Sequence, residues 1–182
     1  MRIVISGTHA SGKSTLIADF ASRRPEFEVF PDPYELLDDA PAEPDAGVMF
    51  AQLQLSAARL LDLPPGANVV AERGPLDFLA YLEALDALGR PTRSSELFRR
   101  GVAATIEAMQ HVDLLVLLPL TASDRIEVSE EEDLELRTAM NEALLELADD
   151  TDLVGAARVV EVTGSPQARL ARLVQLSEQH LA

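Results

Sequence analysis

Residues 7–14 read GTHASGKS. Two glycines five positions apart, then a lysine and a hydroxyl residue, form the spacing G-x-x-x-x-G-K-[ST]. In a loop of this kind backbone N–H groups cup phosphate oxygens, the lysine reaches the β- and γ-phosphates, and the hydroxyl ligates Mg²⁺. Gly7 lets the chain turn sharply and Gly12 lets the backbone approach phosphate closely. Thr8, His9, Ala10 and Ser11 complete the loop, Lys13 and Ser14 supply charge and metal ligand, and Thr15 can donate to the α-phosphate from the helix start. His9 is loop filler, or it packs on a nucleotide or senses pH. The chain has this one lysine against fourteen arginines. A compact ammonium on a slim stem fits an enclosed group of phosphate oxygens better than a planar guanidinium does.

Three further groups carry chemistry-bearing residues. In AERG, residues 71–74, Glu72 could hold Mg²⁺ through water and Arg73 could clamp a phosphate; a surface ion pair at a helix start is the alternative. In FPDP, residues 30–33, two prolines stiffen the backbone around Asp32, which could accept a hydroxyl proton during phosphoryl transfer or simply form a turn. The segment TASDRIEVSEEED, residues 121–133, falls in the position of a flexible lid, and Arg125, its single cation, could fold over the phosphates. Its run from Glu130 to Asp133 reads as a solvated helix start. Arg137, one turn on, could pair with Asp133 at i,i+4 or touch a nucleotide. His111 falls at a helix C-terminus, favourable to partial positive charge.

The elements that must position these groups alternate between strand and helix. RIVIS (2–6) is a buried strand, and residues 13–22 carry Leu16, Ile17 and Phe20 at helical spacing. Residues 27–30 and 67–71 read as strands, with a helix over 48–62 between them. A proline-first, glycine-last helix follows from Pro75 to Leu88, closed by Gly89. Then come a helix over 94–110, a strand over 113–118, a helix marked by Leu136, Met140, Leu144 and Leu147, a strand over 158–162 and a helix over 166–176. The proline- and acid-rich stretch 31–47 reads as a loop or short helical excursion. This alternation predicts one α/β domain over residues 1–182, a parallel sheet covered by helices, with ligands at the carboxyl ends of the strands.

Composition narrows the function. A formal net charge of −16 disfavours nucleic acid and anionic membranes, which attract basic surfaces. With no cysteine, thiolate metal sites, cysteine nucleophiles and disulfides are excluded. No run reaches the ~20 apolar residues of a membrane span, and MRIVISG is too short an apolar stretch for a leader. The expectation is a soluble, cytoplasmic protein that binds neither nucleic acid nor membrane.

Taken together, the motifs resemble the small P-loop nucleoside and nucleotide kinases. This group holds thymidylate kinase, the deoxynucleoside kinases and the ribosylnicotinamide kinase domain of the bacterial bifunctional NAD-biosynthesis regulator, with relatives labelled only as AAA-type ATPases. GTHASGKS, the Asp-Pro at 32–33 where deoxynucleoside kinases carry Glu-Pro, and the ERG at 72–74 carry the resemblance. The stretches ERGPLDFLAYL (72–82) and SDRIEVSEEED are similar to the ATPase-labelled branch. The resemblance implies a P-loop NTPase three-layer sandwich with five parallel strands in the order 2-3-1-4-5 and a short lid over about 121–133. It places an acceptor pocket over the second and third strands, and adenine near the loop holding Gly164, Ser165 and Pro166. It makes Gln52 a candidate base reader, against the plainer reading of an exposed glutamine on an amphipathic helix. Three departures stand out: Asp32 is one methylene shorter than the usual glutamate, Gly74 replaces a serine, and the lid has one arginine where many nucleotide kinases have several.

The function expected is an ATP- and Mg²⁺-dependent kinase acting on a hydroxyl of a nucleoside or nucleoside-like metabolite. Lys13, Asp32, Arg73 and Arg125 are the catalytic candidates, and Asp32, Gln52, Arg59, Glu72 and Arg73 the acceptor-side ones. Once Lys13, Arg73 and Arg125 serve the donor, only Arg59 and Arg93 are left for an acceptor phosphate, which points to a neutral acceptor. The alternatives are a nucleotide-switched ATP-binding regulator, a nucleoside triphosphate hydrolase and a nucleoside monophosphate kinase. The helices at 48–62 and 94–110 could pair across a homodimer or pack within a monomer.

Overall fold

Alternate residues of each apolar strand face opposite ways, so a strand apolar at every position must be covered on both sides. RIVIS forms β1 (Arg2–Ser6), buried from Ile3 onward. The computed structural model describes residues 1–36, 45–90, 93–121 and 133–181. After β1 come α1 (Lys13–Arg23), β2 (Glu28–Phe30), a 3₁₀ turn (Pro33–Leu36), α2 (Ala46–Leu61), β3 (Val69–Glu72), α3 (Pro75–Ala87), α4 (Ser94–Met109) and β4 (Leu114–Leu117). The chain continues through α5 (Leu134–Ala148), α6 (Thr151–Val154), β5 (Arg158–Glu161) and α7 (Pro166–Leu181).

The five strands form one parallel sheet in the order β2-β3-β1-β4-β5, the order the resemblance implies. In register, Ile3 lies beside Val70 and Leu114, and Ile5 beside Glu72 and Val116. Ile3, Ile5, Val70, Leu114 and Val116 pack with Leu16, Ile17 and Phe20 of α1 and Leu170, Leu173 and Leu176 of α7. Val4, Ala71, Leu115 and Leu117 pack with the layer of α2, α3, α4, α5 and α6. Helix, sheet and helix make the three layers.

Within the second layer α2 and α4 meet face to face. A Cβ on Gly101 would lie 2.8 Å from Leu53 Cδ1, so these apolar faces are used inside the chain. Asp45, whose side chain accepts from the Gly47 N–H, starts α2 two residues earlier than the apolar period suggests. α6 is a single turn capped by Asp150, too short to show a period. No helix among the described residues is long and apolar enough to cross a membrane. The expected lid falls on residues that, apart from Thr121 and Asp133, lie outside those described, and Arg125 lies there with it.

Candidate phosphate and acceptor site

Strand order brings the carboxyl ends of β1 and β3 side by side. The loop after one carries GTHASGKS; the loop after the other carries Glu72 and Arg73. Arg73 N–H still donates to the Ile5 carbonyl at 3.1 Å, extending the ladder by one rung. The backbone at Arg73 then enters the left-handed region at φ 62°, a conformation that costs a non-glycine residue of order 1 kcal/mol and that gathers at functional sites.

Gly7, Thr8, His9, Ala10, Ser11 and Gly12 form the loop, and Lys13, Ser14 and Thr15 open α1. Five successive loop carbonyls each accept from a cationic side chain. Gly7 accepts from Arg73 Nη1 at 3.1 Å, Thr8 from Lys13 Nζ at 2.8 Å, His9 from Arg137 Nε at 3.0 Å, Ala10 from Arg137 Nη2 at 3.2 Å and Ser11 from Arg169 Nη1 at 2.7 Å. The next carbonyl, of Gly12, takes the helical N–H of Leu16. In a planar trans peptide the C=O of one residue and the N–H of the next point in opposite directions. Arg137 and Arg169, which hold the His9, Ala10 and Ser11 carbonyls, therefore turn the N–H groups of residues 10–12 the other way, where a concave set of donors can hold an anion. Gly7 (φ 157°), Ala10 (φ 50°) and Gly12 (φ 88°) supply the positive φ values that bend the loop. A side chain on Gly7 would meet Ser11 Oγ at 2.7 Å and the Leu118 carbonyl at 3.0 Å.

The Arg137 guanidinium thus bonds loop carbonyls, and among the described residues it makes no ion pair with the Asp133 carboxylate. Asp133 instead caps α5 and pairs with Arg90. Arg169 and Asp77 play parts that sequence reasoning missed. Arg169, on the first turn of α7, links the Gly164 carbonyl at 2.9 Å to the Ser11 carbonyl. Asp77 is fully buried on the first turn of α3. Its carboxylate accepts from Ser6 Oγ at 2.5 Å, from the Gly7 N–H at 3.0 Å and from the Gly74 N–H at 2.9 Å, and it stands 3.9 Å from Arg73. One carboxylate therefore joins the base of the phosphate loop to the β3–α3 turn. The only local signal is an acid at the third position of a helix that opens with proline, which ordinary N-terminal capping explains equally well.

Electrostatics follow from burial. Lys13 is 4 % exposed. Burial pushes its ammonium down to about 7, the Arg73 charge pushes the same way, and Asp77, Glu72 and Asp32 pull back. Burial raises the Glu72 carboxyl against the opposing pull of Lys13 and of its bond from Ser14. Burial also raises Asp77, with Arg73 and the three donors opposing. For Arg73 burial works against the charge, but Tyr81, Asp32 and Asp77 outweigh it and raise the pKa further. Arg73 is a permanent cation here.

Ser14 Oγ donates to Glu72 Oε1 at 2.9 Å, so the two metal-ligand candidates from separate motifs touch. Arg73 Nε donates to Asp32 Oδ2 at 2.7 Å, while Asp32 Oδ1 accepts from the Tyr34 N–H at 3.0 Å. Each oxygen of Asp32 keeps a second lone pair. Beside this pair lies a cleft lined by Phe30, Pro33, Ser56, Arg59, Glu72 and Arg73. The cleft is shallow, ≈ 200 Å³ even with its open mouth counted; an occupant of nucleoside size would have to widen it. Arg59 stacks over Phe30 at 4.2 Å and donates to the Pro31 carbonyl at 3.1 Å. Burial lowers its pKa, with Glu28 opposing. Gln52 stands one turn before Ser56 on α2. It is buried, not exposed, and its Nε2 has no hydrogen-bond partner among the described residues. Arg93 is paired with Glu96 on α4 at 2.8 Å. Gly164 and Ser165 lie between β5 and α7, which Pro166 opens, and the Ser165 hydroxyl oxygen accepts from the Ala168 N–H at 3.2 Å.

A family model described as an AAA domain matches residues 2–169. Among solved structures, thymidylate kinase from Candida albicans superposes with a TM-score of 0.68 at 17 % sequence identity, over 98 % of this chain and 91 % of that one. Deoxyadenosine kinase from M. mycoides with bound dATP gives 0.68 at 14 % identity, over 98 % and 100 %. The same enzyme with bound dCTP gives 0.64 at 14 % identity, over 98 % and 100 %. At these identities the likeness is one of fold. No curated protein matches the sequence.

Proposed function

We propose, for a chain that belongs to the AAA-domain family and has the fold of nucleoside and nucleotide kinases, that it transfers the γ-phosphoryl group of ATP to a hydroxyl of a nucleoside-like small molecule. The observation that carries this reading is Asp32, held at 2.7 Å by Arg73, which lines the cleft and also bonds the Gly7 carbonyl of the phosphate loop.

In the transfer, the acceptor oxygen bonds to Pγ as the bond from Pγ to the β–γ bridging oxygen breaks, and the hydroxyl proton passes to Asp32. Arg73 orients Asp32 through Nε and stabilises negative charge on the transferring group. A positioned base of this kind contributes roughly 10²–10⁴-fold. Lys13 exchanges its bond to the Thr8 carbonyl for phosphate oxygens, which restores the charge that burial disfavours. Ser14 and Glu72, in mutual contact, are an all-oxygen pair of the kind Mg²⁺ accepts when phosphates complete its shell, and they would hold the ion. Bound there, Mg²⁺ supplies charge neutralisation at the phosphates. The Gly164–Pro166 loop supplies the base side of the donor site. Gln52 Nε2, buried without a partner, supplies a donor for an acceptor's polar edge.

The acceptor is neutral. Around the cleft, the cations of the described residues are engaged: Arg59 on Phe30 and Pro31, Arg73 on Asp32 and Gly7. The test is ATP consumption with Mg²⁺ across nucleosides, nucleoside monophosphates and nicotinamide riboside, with product mass recorded and Lys13→Ala as the blank. One nucleoside that accelerates consumption and gives its monophosphate is the expected result. Turnover with a monophosphate alone would refute the neutral acceptor, and a flat panel over protein that binds ATP would refute the kinase.

A further inference from the structure

We infer that Arg169 is a positioning residue for the phosphate loop, one that reaches no substrate atom and acts by aiming a backbone amide. This inference deepens the nucleotide-binding reading above and depends on it.

Arg169 is 6 % exposed and sits on the first turn of α7, where the helix dipole is positive and disfavours a cation. Burial disfavours the charge as well. Its guanidinium is placed where it bridges two loops that the chain holds far apart: Nε donates to the Gly164 carbonyl at 2.9 Å and Nη1 to the Ser11 carbonyl at 2.7 Å. The Ser11 carbonyl shares its peptide plane with the Gly12 N–H. Fixing the carbonyl on the α7 side fixes that N–H on the opposite, concave side, where the loop receives phosphate. Gly12 needs such a constraint, because a glycine at φ 88° has no side chain to hold its peptide plane against rotation. The Gly164 carbonyl likewise shares its plane with the Ser165 N–H, so the same guanidinium sets one amide in each loop. A lysine at this position has one point of charge and cannot span both carbonyls.

The test is isothermal titration, well below the unfolding temperature, of ATP and of inorganic tripolyphosphate, each with Mg²⁺, into wild type, Arg169→Met and Arg169→Lys. Loss of one aimed amide should weaken both ligands by about tenfold to a hundredfold in Arg169→Met, the span of one hydrogen bond to a charged group. Arg169→Lys should recover part of this. A merely structural role would lower the unfolding temperature and leave the dissociation constants of the folded protein unchanged. Wild-type binding of both probes, with equal affinity in Arg169→Met, overturns this inference alone. Weakened ATP with unchanged tripolyphosphate also overturns it, since the residue would then serve only the base-side loop. A wild type that binds neither probe overturns the nucleotide reading and this inference with it. Should Arg169→Met not fold, Arg169→Leu, which likewise removes both donors, is read by the same outcomes.

Discussion

Replacing Asp77 by asparagine isolates the contribution of one buried negative charge to the whole site. The carboxylate accepts three hydrogen bonds: Oδ2 takes Ser6 Oγ and the Gly74 N–H, and Oδ1 takes the Gly7 N–H. Asparagine keeps its shape and can keep one oxygen where two of these bonds meet. Its amide nitrogen must then face the Gly7 N–H, donor against donor. The bond lost is one to a charged acceptor, ~1.5–3 kcal/mol, and a buried donor is left without a partner. Arg73 also loses a carboxylate at 3.9 Å, a smaller loss because Asp32 remains at 2.7 Å. Together these predict a destabilisation of about 3 kcal/mol. At this chain length each kcal/mol lowers the midpoint by about 2–4 °C, so the expected fall is roughly 6–12 °C. Urea unfolding of wild type and Asp77→Asn at neutral pH measures it, with calorimetry as the check. Because Asp77 sits at the root of the phosphate loop, nucleotide affinity should fall in the same variant. A stability within about 0.5 kcal/mol of wild type, the ordinary range for surface changes, would refute the idea that this carboxylate joins the two loops.

Two further outcomes follow from geometry already described. Lys13 has a folded pKa depressed from 10.5 to about 7, so its contribution to stability is fully present above the unfolded value and is lost as pH falls toward the folded one. At ~1.36 kcal/mol per unit, Lys13→Met, which cannot titrate, should gain on wild type by about 3 kcal/mol between about pH 10 and pH 7 without ligand, while losing nucleotide binding; a difference that stays constant with pH would rule out the buried ammonium. A Cβ on Gly74 would sit 2.9 Å from Val4 Cγ1, so Gly74→Ala should cost ~1–3 kcal/mol from overpacking, and adding Val4→Ala should cost less than the two single changes summed. Strict additivity in that cycle would show that the two positions do not press on one another.

The strand, the phosphate loop and the helix after it are legible because each is encoded within a dozen neighbouring residues: apolar alternation, two glycines, Lys13 and an apolar stripe. The contact of Ser14 with Glu72, and of Asp32 with Arg73, becomes readable once strand order is known, because the loops that carry them end side by side. Arg169 and Arg137 were not legible as loop braces. Their partners are carbonyls, and any residue type offers a carbonyl, so no pattern of side chains marks the pairing. Asp77 was hidden for a related reason: an acid at a helix start has a sufficient local explanation, and its bonds to Ser6 and Gly7 depend on where β1 lies. Gln52 shows the reverse error of habit, since glutamine on an amphipathic helix is usually exposed, yet here it faces inward with Nε2 unpartnered.

The solitary lysine has a practical consequence. It is the only ε-amine in the chain, and at neutral pH burial keeps much of it in the unprotonated, nucleophilic form. A small acylating reagent without phosphates would find no competing lysine elsewhere, and its other amine target would be the α-amine of Met1, which donates to Ala67 and Asn68. The mass of the fragment that holds Lys13 would then report what fraction had a vacant phosphate loop. Because arginine takes every other basic position but the histidines, the one ε-amine of the chain lies at the place where occupancy matters.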